Sequence, residues 1–223
     1  MDIIAHIETD FNTKFGLPRQ SGLCEELKGR IVFESEYRRE EAFRGLEGFS
    51  HIWVLWKFSE AEREEWSPTV RPPRLGGNKR VGVFATRSPF RPNNIGLSCV
   101  KLEKIDYDCP DAPVLHVSGI DMMNGTPVVD IKPYVPVADC KSDATDGFTQ
   151  YTKAYCLDVN FSDDLLCILP EEKREGAKQM LSLDPRPSYI TDEERVFGVE
   201  YAGYDIRFKV KEKTLTVCDV IKM

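Results

Sequence analysis

The stretch VGVFATRSPFRPNNIGLSCVKLEKI, residues 81–105, joins two apolar, strand-like runs through a loop of unusual composition. The loop, ATRSPFRPNNIGLS at residues 85–98, holds two arginines, two prolines, two asparagines and a glycine. A turn needs one proline or one Asn-Gly pair, and it needs no arginine. We therefore expect this loop to meet a partner that carries negative charge or a flat π-face.

Short runs rich in β-branched and aromatic residues continue on both sides of this loop, up to about residue 135. They are IIAHIET (3–9), GRIVFES (29–35), HIWVLWKF (51–58), RVGVFAT (80–86), SCVKLEKI (98–105), PVLHVSG (113–119) and VVDIKPYV (128–135). One amphipathic helix is predicted among them, over SEYRREEAFRGLEG at 35–48. Because helices do not alternate regularly with the strands, the pattern favours a mainly β protein with a closed barrel over a βαβ array.

The chain is predicted to divide into a barrel domain, residues 1–138, a connector, residues 139–160, and a small α+β C-terminal domain, residues 161–223. A charged helix is expected over LPEEKREGAKQMLSL, residues 169–183. The turn-forming DPRPSY and then a hairpin-like pair of strands in 195–221 should follow it.

Composition limits the class of protein. A chain of 223 residues with a net charge of −7 and 41% hydrophobic residues is typical of a soluble globular protein. No apolar run reaches the roughly 18 residues of a membrane span, and the acidic MDIIAHIETDF start does not resemble a secretory signal. Seven scattered cysteines without a C-x-x-C pair indicate reduced thiols in the cytoplasm, and the three distant histidines predict no metal site.

One window of the acidic chain is basic. Between Glu65 and Glu103 there is no acidic residue. The window carries seven cationic residues: Arg71, Arg74, Lys79, Arg80, Arg87, Arg91 and Lys101. Local positive potential decides where a polyanion docks, so the window predicts a nucleic-acid partner. The alternative is a solvated surface with an uneven distribution of charge.

Three segments share the predicted chemistry: KFGLPRQSG at 14–22, the loop at 85–98, and DMMNGTPVVDIKPY at 121–134. The third segment contains an Asn-Gly turn signal, and the Asp130 and Lys132 that follow it fall on one face of the next strand. No G-x-G-x-x-G and no phosphate-binding P-loop is present, so a nucleotide-like cofactor would have to bind without a Rossmann turn.

Together, FGLPRQ, TRSPFRPNNIGLS and NGTPVVDIKPY resemble the TsaA-like (TrmO) family of tRNA methyltransferases. The resemblance extends over nearly the whole chain, to the C-terminal DPRPSY and YDIRF segments of the bacterial long form. It implies an N-terminal barrel that binds S-adenosylmethionine, a small C-terminal domain and a homodimer. The implied activity is methylation of the exocyclic amine of threonylcarbamoyladenosine at position 37, in the anticodon loop of tRNA, chiefly threonine tRNA.

The resemblance also implies a set of cofactor-binding residues: Pro18, Arg19, Gln20, Phe58, Ser59, Arg87, Leu97, Asp121, Met122, Met123 and Asn124. Two positions depart from the family pattern. Asn93-Asn94 stands where the family often has Asn-Pro, which alters loop stiffness more than chemistry. Asn124-Gly125 stands where the family has Asp-Gly, which keeps the turn and an acceptor oxygen but removes a charge, so somewhat weaker cofactor affinity is expected.

Methyl transfer from a sulfonium requires mainly positioning, helped by a group that accepts the proton of the amine. Asp130, Asp121 and Tyr134 are the predicted acceptors, in that order, although an ion pair of Asp130 with Lys132 or Arg91 is an equal alternative. Arg87 or Arg91 should hold the threonyl carboxylate, since guanidinium groups bind carboxylates bidentately. The residues predicted to contact tRNA are Arg71, Arg74, Lys79, Arg80, Arg91, Phe90 and Lys132. Phe90 and Tyr134 are also expected to stack on a splayed base, with packing in the core as an equal alternative for Phe90.

Two alternative functions remain open from the sequence. One is a barrel that binds S-adenosylmethionine or RNA without catalysis, and the other is a methyltransferase that acts on a different substrate. His51, Trp53 and Trp56 are expected to pack in the barrel core or a dimer interface. A turn packed against the barrel is expected at Asp184, Arg186, Pro187 and Tyr189, and tRNA binding by Arg186 or Tyr189 is the alternative.

Overall fold

A computed structural model of the chain describes residues 1–61, 65–72, 79–152, 155–186 and 192–223. The strands in this part of the chain are β1 (Ala5–Thr9), β2 (Lys28–Phe33), β3 (His51–Lys57), β4 (Thr69–Val70), β5 (Val81–Gly82), β6 (Ile95–Asp106), β7 (Val114–Ser118), β8 (Thr126–Pro133), β9 (Asp158–Asn160), β10 (Phe197–Tyr201), β11 (Tyr204–Lys211) and β12 (Thr214–Lys222). The α-helices are α1 (Pro136–Asp139), α2 (Asp163–Leu166) and α3 (Glu171–Ser182).

Six of the strands close into an antiparallel barrel in the order β1-β2-β7-β6-β3-β8, with β8 returning to β1. Strand β3 illustrates the pattern that forms a barrel wall. Its residues Ile52, Val54 and Trp56 are buried, while the residues between them are partly exposed. This period of two is that of a strand with one face on the core. The predicted mainly β fold with a closed barrel is confirmed.

Two predicted elements of the barrel part of the chain are wrong. Residues 35–48 form three short 3₁₀ turns, Ser35–Tyr37, Glu40–Phe43 and Leu46–Gly48, in place of one helix. Phe43 is the buried residue of these turns, so the segment has no apolar stripe along which a helix could pack. The run 80–86 is not a barrel strand either, because β5 pairs with β4 outside the barrel and Val83–Ala85 form a 3₁₀ turn.

The C-terminal part contains a four-stranded sheet in the order β10-β11-β12-β9. The predicted charged helix is confirmed as α3, but the expected hairpin-like pair is wrong, since residues 195–221 contain two turns and therefore three strands. Residues 158–160, at the end of the predicted connector, form β9 and run parallel to β12. Within the described chain, no helix has the length and apolar character needed to span a membrane.

The C-terminal sheet packs against the segment that follows β1. Backbone N of Ala202 donates to the carbonyl of Asp10 at 3.1 Å, and the rings of Phe11 and Tyr201 lie 5.3 Å apart. A Cβ on Gly16 would lie only 2.3 Å from Cγ2 of Val199. The C-terminal unit therefore fixes the backbone that leads into the PRQ segment, residues 18–20.

Candidate active site

Arg87 joins the first two sequence motifs. Its guanidinium donates a hydrogen bond to Oε1 of Gln20, and Nε2 of Gln20 donates to the backbone carbonyl of Arg19 at 2.5 Å. The side-chain amide is thus oriented from both ends. Pro18 is buried beside them, whereas Arg19 and Arg87 are exposed. Two guanidinium groups are therefore accessible to an anionic ligand at this loop.

Asp121 is the acceptor of a buried hydrogen-bond chain. Oγ of Ser98 donates to Oδ1 of Asp121 at 2.6 Å, and Nε1 of Trp56 donates to the same Oγ at 2.9 Å. Ser98 is 0% exposed. Because Trp56 occupies the acceptor side of the hydroxyl, the proton of Ser98 is directed at the carboxylate.

Several charges and dipoles set the protonation of this carboxyl. Burial raises the pKa of Asp121, while hydrogen bonds from Ser98 and from the backbone of Ser21, and the charge of Arg87, act in the opposite direction. Oγ of Ser21 in turn accepts a hydrogen bond from backbone N of Cys99 at 3.0 Å. The three sequence motifs therefore meet around one carboxylate that is more basic than an ordinary aspartate.

The local sequence of β6 makes room for the hydrogen bonds between Trp56, Ser98 and Asp121. Gly96 lies beside the indole, and a Cβ there would approach Cε2 of Trp56 to 2.2 Å. Two residues later Ser98 points to the same, inner side, since side chains alternate along a strand. The motif at 85–98 contains Ser98 but did not identify it as a site residue. Its hydroxyl at an inward position of a predicted strand is the signal that could have done so.

The turn at Asp121–Asn124 is fastened to β1. Met122 is buried, and its carbonyl accepts a hydrogen bond from Oγ1 of Thr9 at 3.2 Å. Oδ1 of Asn124 accepts from backbone N of Thr9 at 3.2 Å, and backbone N of Asn124 donates to the carbonyl of Phe11 at 2.8 Å. An aspartate would accept the same bond, so the Asn124 departure preserves the turn. Met123 is partly buried.

Asn94 links the end of β3 to the start of β6. Its Nδ2 donates to the carbonyl of Phe58 at 2.9 Å, and backbone N of Phe58 donates to the carbonyl of Asn94 at 3.0 Å. The Phe58 ring lies 4.2 Å from that of Trp56. A proline at this position would fix the loop by its ring, whereas Asn94 does so by its side-chain hydrogen bond. Ser59 is exposed and begins a 3₁₀ turn.

Some predicted site residues lie on the outer face of the barrel wall, opposite to the face that carries Ser98. In the strand register Leu55 pairs with both Leu97 and Asp130, on the face away from Ser98. Leu97 is 47% exposed. Asp130 accepts from backbone N of Ile131 at 2.9 Å and pairs with Lys132 at 2.8 Å. The ion-pair alternative for Asp130 is the one seen in the structure.

Tyr134 lies on the outer surface with other aromatic residues. Its ring centroid is 6.3 Å from that of His51 and 5.7 Å from that of Trp53. Burial is the main cause that raises the pKa of its hydroxyl, so the group stays protonated and is a poor proton acceptor. The outer rings of His51 and Trp53 also contrast with Trp56, which packs in the core as expected.

The residues predicted to contact tRNA are of two kinds, those that stabilise their own loop and those that are exposed. Arg91 donates to the carbonyls of Val83 at 3.0 Å and Thr86 at 2.7 Å, and therefore fixes its own loop. Phe90 is partly buried in that loop. The exposed cations are Arg71, Lys79, Arg80 and Lys132. Arg74, Pro187 and Tyr189 lie outside the described residues, and Arg186 pairs with Asp184 at 2.8 Å.

Concave surfaces do not by themselves mark this site. A concavity of about 930 Å³ is lined by charges of both signs, including Glu8, Lys28 and Arg30, and by no predicted cofactor residue. A smaller cavity of about 170 Å³ includes Pro18 and Arg19 and reaches Met180 of the C-terminal unit. The hydrogen-bonded motifs are therefore better evidence for the site than cavity size.

Comparisons with known proteins agree with the fold and the motifs. Residues 6–140 match the model of the tRNA-methyltransferase O N-terminal domain, and residues 154–223 match that of the TrmO C-terminal domain. The chain is 40% identical over 217 residues to the tRNA (adenine(37)-N6)-methyltransferase of Escherichia coli K12, covering 94% of this chain and 92% of that protein.

One further relative and one solved structure agree with this match. A Pseudomonas aeruginosa protein whose name describes an S-adenosylmethionine-dependent methyltransferase is 39% identical over 213 residues, with 92% of this chain and 90% of that protein covered. The crystal structure of TrmO superposes with a TM-score of 0.80 at 34% identity, over 98% of this chain and 96% of that one. The resemblance seen in the sequence is confirmed, and the chain belongs to the tRNA-methyltransferase O (TrmO) family.

Proposed function

We propose that the protein is an S-adenosylmethionine-dependent tRNA (adenine(37)-N6)-methyltransferase. The observation that carries the proposal is the meeting of the three motifs, in which Arg87 is bonded to Gln20 and the neighbouring Ser21 is bonded to Asp121. The curated relative from Escherichia coli, which has this activity in its name, matches the chain over 94% of its length.

The residues at this place fit S-adenosylmethionine. The cofactor carries a positive sulfonium, a carboxylate and a flat adenine ring, and when bound it supplies a methyl group on a positively charged sulfur. Asp121 offers a carboxylate for the cation, and Arg19 offers a guanidinium group for the anion, beside the Gln20 amide that Arg87 holds. Phe58, stacked on Trp56, offers apolar surface for the ring. The proposed cofactor site also includes Pro18, Gln20, Ser59 and the turn Asp121–Asn124, but not Leu97, which lies on the outer face.

In the proposed mechanism, Asp121 accepts the proton that the exocyclic amine loses as its nitrogen gains the methyl group. A carboxylate whose pKa is raised by burial is a stronger base than an exposed one, which suits this task. Ser98 and Trp56 act as positioning residues, because their hydrogen bonds fix the orientation of the carboxylate. Asp130 and Tyr134 are weaker candidates, since they face the outer side of the barrel wall.

The proposed substrate is threonylcarbamoyladenosine at position 37, presented in the anticodon loop of threonine tRNA. Arg91 is occupied by two backbone carbonyls, so Arg87 is the arginine proposed to hold the threonyl carboxylate. The exposed cations Arg71, Lys79 and Arg80 would contact phosphates along the loop. The enzyme is proposed to act in the cytoplasm, and a homodimer is proposed from the family resemblance.

Methyl transfer from labelled S-adenosylmethionine tests this proposal. Threonine tRNA that carries threonylcarbamoyladenosine is compared with the same tRNA without that group, using the wild type and Arg87→Ala. We expect label in the modified tRNA alone, with a loss of roughly 100-fold in Arg87→Ala from the lost carboxylate contact. Cofactor binding without label in either tRNA would overturn the proposal and favour a non-catalytic barrel or another substrate.

A further inference from the structure

Two exposed aromatic side chains, Trp66 and Phe84, lie side by side within the acid-free window. Their ring centroids are 6.0 Å apart and their planes differ by 25°, so the rings are close to parallel. Trp66 is 49% exposed and Phe84 is 69% exposed. Apolar rings in water cost free energy, and adjacent ones mark a surface that a partner can cover.

The backbone beneath these rings is ordered by its own small sheet. Strands β4 and β5 pair Thr69 with Gly82, and backbone N of Val83 donates to the carbonyl of Pro68 at 3.0 Å. Val83 itself is buried and anchors the turn that presents Phe84. The two rings are therefore held in place before any partner binds, which lowers the entropic cost of binding.

Two arginines lie on the segments that carry the ring pair or pair with them. Cζ of Arg91 lies 5.4 Å from the centre of the Phe84 ring, and its two carbonyl contacts keep it there. Arg80 donates to Oγ1 of Thr69, in the strand beside Trp66, at 3.1 Å. Flat aromatic faces next to positive charge match a single-stranded nucleic acid, whose bases stack while its phosphates are attracted to an exposed cation such as Arg80.

We propose that Trp66 and Phe84 form the base-stacking platform of this enzyme, on which an unpaired tRNA base next to the target adenine lies. The inference rests on the proposed function for the identity of the RNA. It replaces Phe90 and Tyr134 in the stacking role, because Phe90 is partly buried in its loop and Tyr134 packs with His51 and Trp53.

Binding to two RNAs tests the platform in the full chain. The probes are an unmodified threonine tRNA transcript and a fully double-stranded RNA of equal length, which offers no unpaired base. Trp66→Leu and Phe84→Leu should each weaken transcript binding about tenfold, and leave duplex binding and the salt dependence unchanged. Trp66→Phe and Phe84→Tyr retain an aromatic face and should bind the transcript as the wild type does.

Arg80→Gln serves as the contrasting variant, since it should weaken both RNAs and lower the salt slope by about one. Leucine variants that bind both RNAs normally, or weaken both equally, would overturn the platform, as would a change in oligomeric state with unchanged RNA binding. A wild type that methylates no tRNA, combined with the expected loss in the leucine variants, would overturn the proposed function while the platform stands.

Discussion

At the scale of single residues, the account depends on one carboxylate and the side chains that hold it. Replacing Asp121 by asparagine keeps its shape and removes the proton acceptor. We expect kcat to fall about 100-fold, the usual range for a lost general base. Asp130→Asn is the matched control, because Asp130 pairs with Lys132 on the outer face. Equal losses in the two variants, measured by single-turnover methyl transfer, would contradict the assignment.

The pH profile tests the role of Ser98. Asp121 must be ionised to accept a proton, and burial raises its pKa, so kcat/KM should fall on the acid side at a higher pH than for an exposed aspartate. The Ser98 hydrogen bond lowers that pKa. Ser98→Ala therefore raises it, and the acid limb of the profile moves to higher pH.

Ser118 provides the control for this measurement. It is also buried and donates to a carboxylate at 2.6 Å, but that carboxylate belongs to Glu103 on β6 and not to Asp121. Ser118→Ala should keep the wild-type profile. An acid limb that stays in place in Ser98→Ala, or that moves in both variants, would show that Ser98 has only a structural role.

At the scale of elements, the close approach of β6 to Trp56 makes Gly96 sensitive to any side chain. A Cβ there would lie 2.2 Å from the indole. We expect Gly96→Ala to lower the free energy of unfolding by about 2 kcal/mol, the range for an overpacked core, and to disturb the bond from Trp56 to Ser98. Urea unfolding measures this.

Gly82→Ala is the matched variant, because no atom lies within 4 Å of the added Cβ and Gly82 has an ordinary φ of −58°. It should change the unfolding free energy by less than about 0.5 kcal/mol. Similar values for the two variants would mean that the barrel wall yields at Gly96, contrary to the tight packing described.

Elements were predictable from sequence where one face of a strand or helix is buried. The alternation in β3 and the charged run of α3 identified both elements. The prediction of a helix at 35–48 was wrong because only Phe43 of the three turns is buried, and the sequence does not show which of its apolar residues will be buried. The prediction of a barrel strand at 80–86 was wrong because β-branched residues fit a short sheet outside the barrel as well as a barrel strand.

At the scale of the whole molecule, the C-terminal unit supports the cofactor loop. Gly16 has a φ of +90° and would place a Cβ 2.3 Å from Val199. Gly16→Ala combines left-handed strain with overpacking, so we expect about 3 kcal/mol of destabilisation. The displaced PRQ segment should also weaken S-adenosylmethionine binding, as calorimetry would measure.

Gly45 offers a close control, since its φ is also +90° and no atom lies within 4 Å of an added Cβ. Gly45→Ala should cost only the backbone strain, about 1–2 kcal/mol, and leave cofactor affinity unchanged. If Gly16→Ala behaved in the same way, the packing of the C-terminal unit would have no influence on the site.

The site was predictable in part. The PRQ segment, Arg87 and Asp121 stand in recognisable motifs, and the structure joins them by hydrogen bonds. Ser98 and Trp56 were missed because their contact, 42 residues apart in the chain, depends on strand register. The ranking of Asp130 above Asp121 came from the same limit, since the face on which a side chain lies follows from the closed barrel. The domain boundaries at 138 and 161 stay a prediction.

Mass spectrometry of tRNA nucleosides after methyl transfer, with the wild type and Asp121→Asn, detects the proposed reaction at its product. We expect a methyl group on the exocyclic nitrogen of the adenosine at position 37, formed by the wild type and about 100-fold more slowly by Asp121→Asn. Methylation at another position, or an unchanged rate in Asp121→Asn with normal cofactor binding, would contradict the proposal.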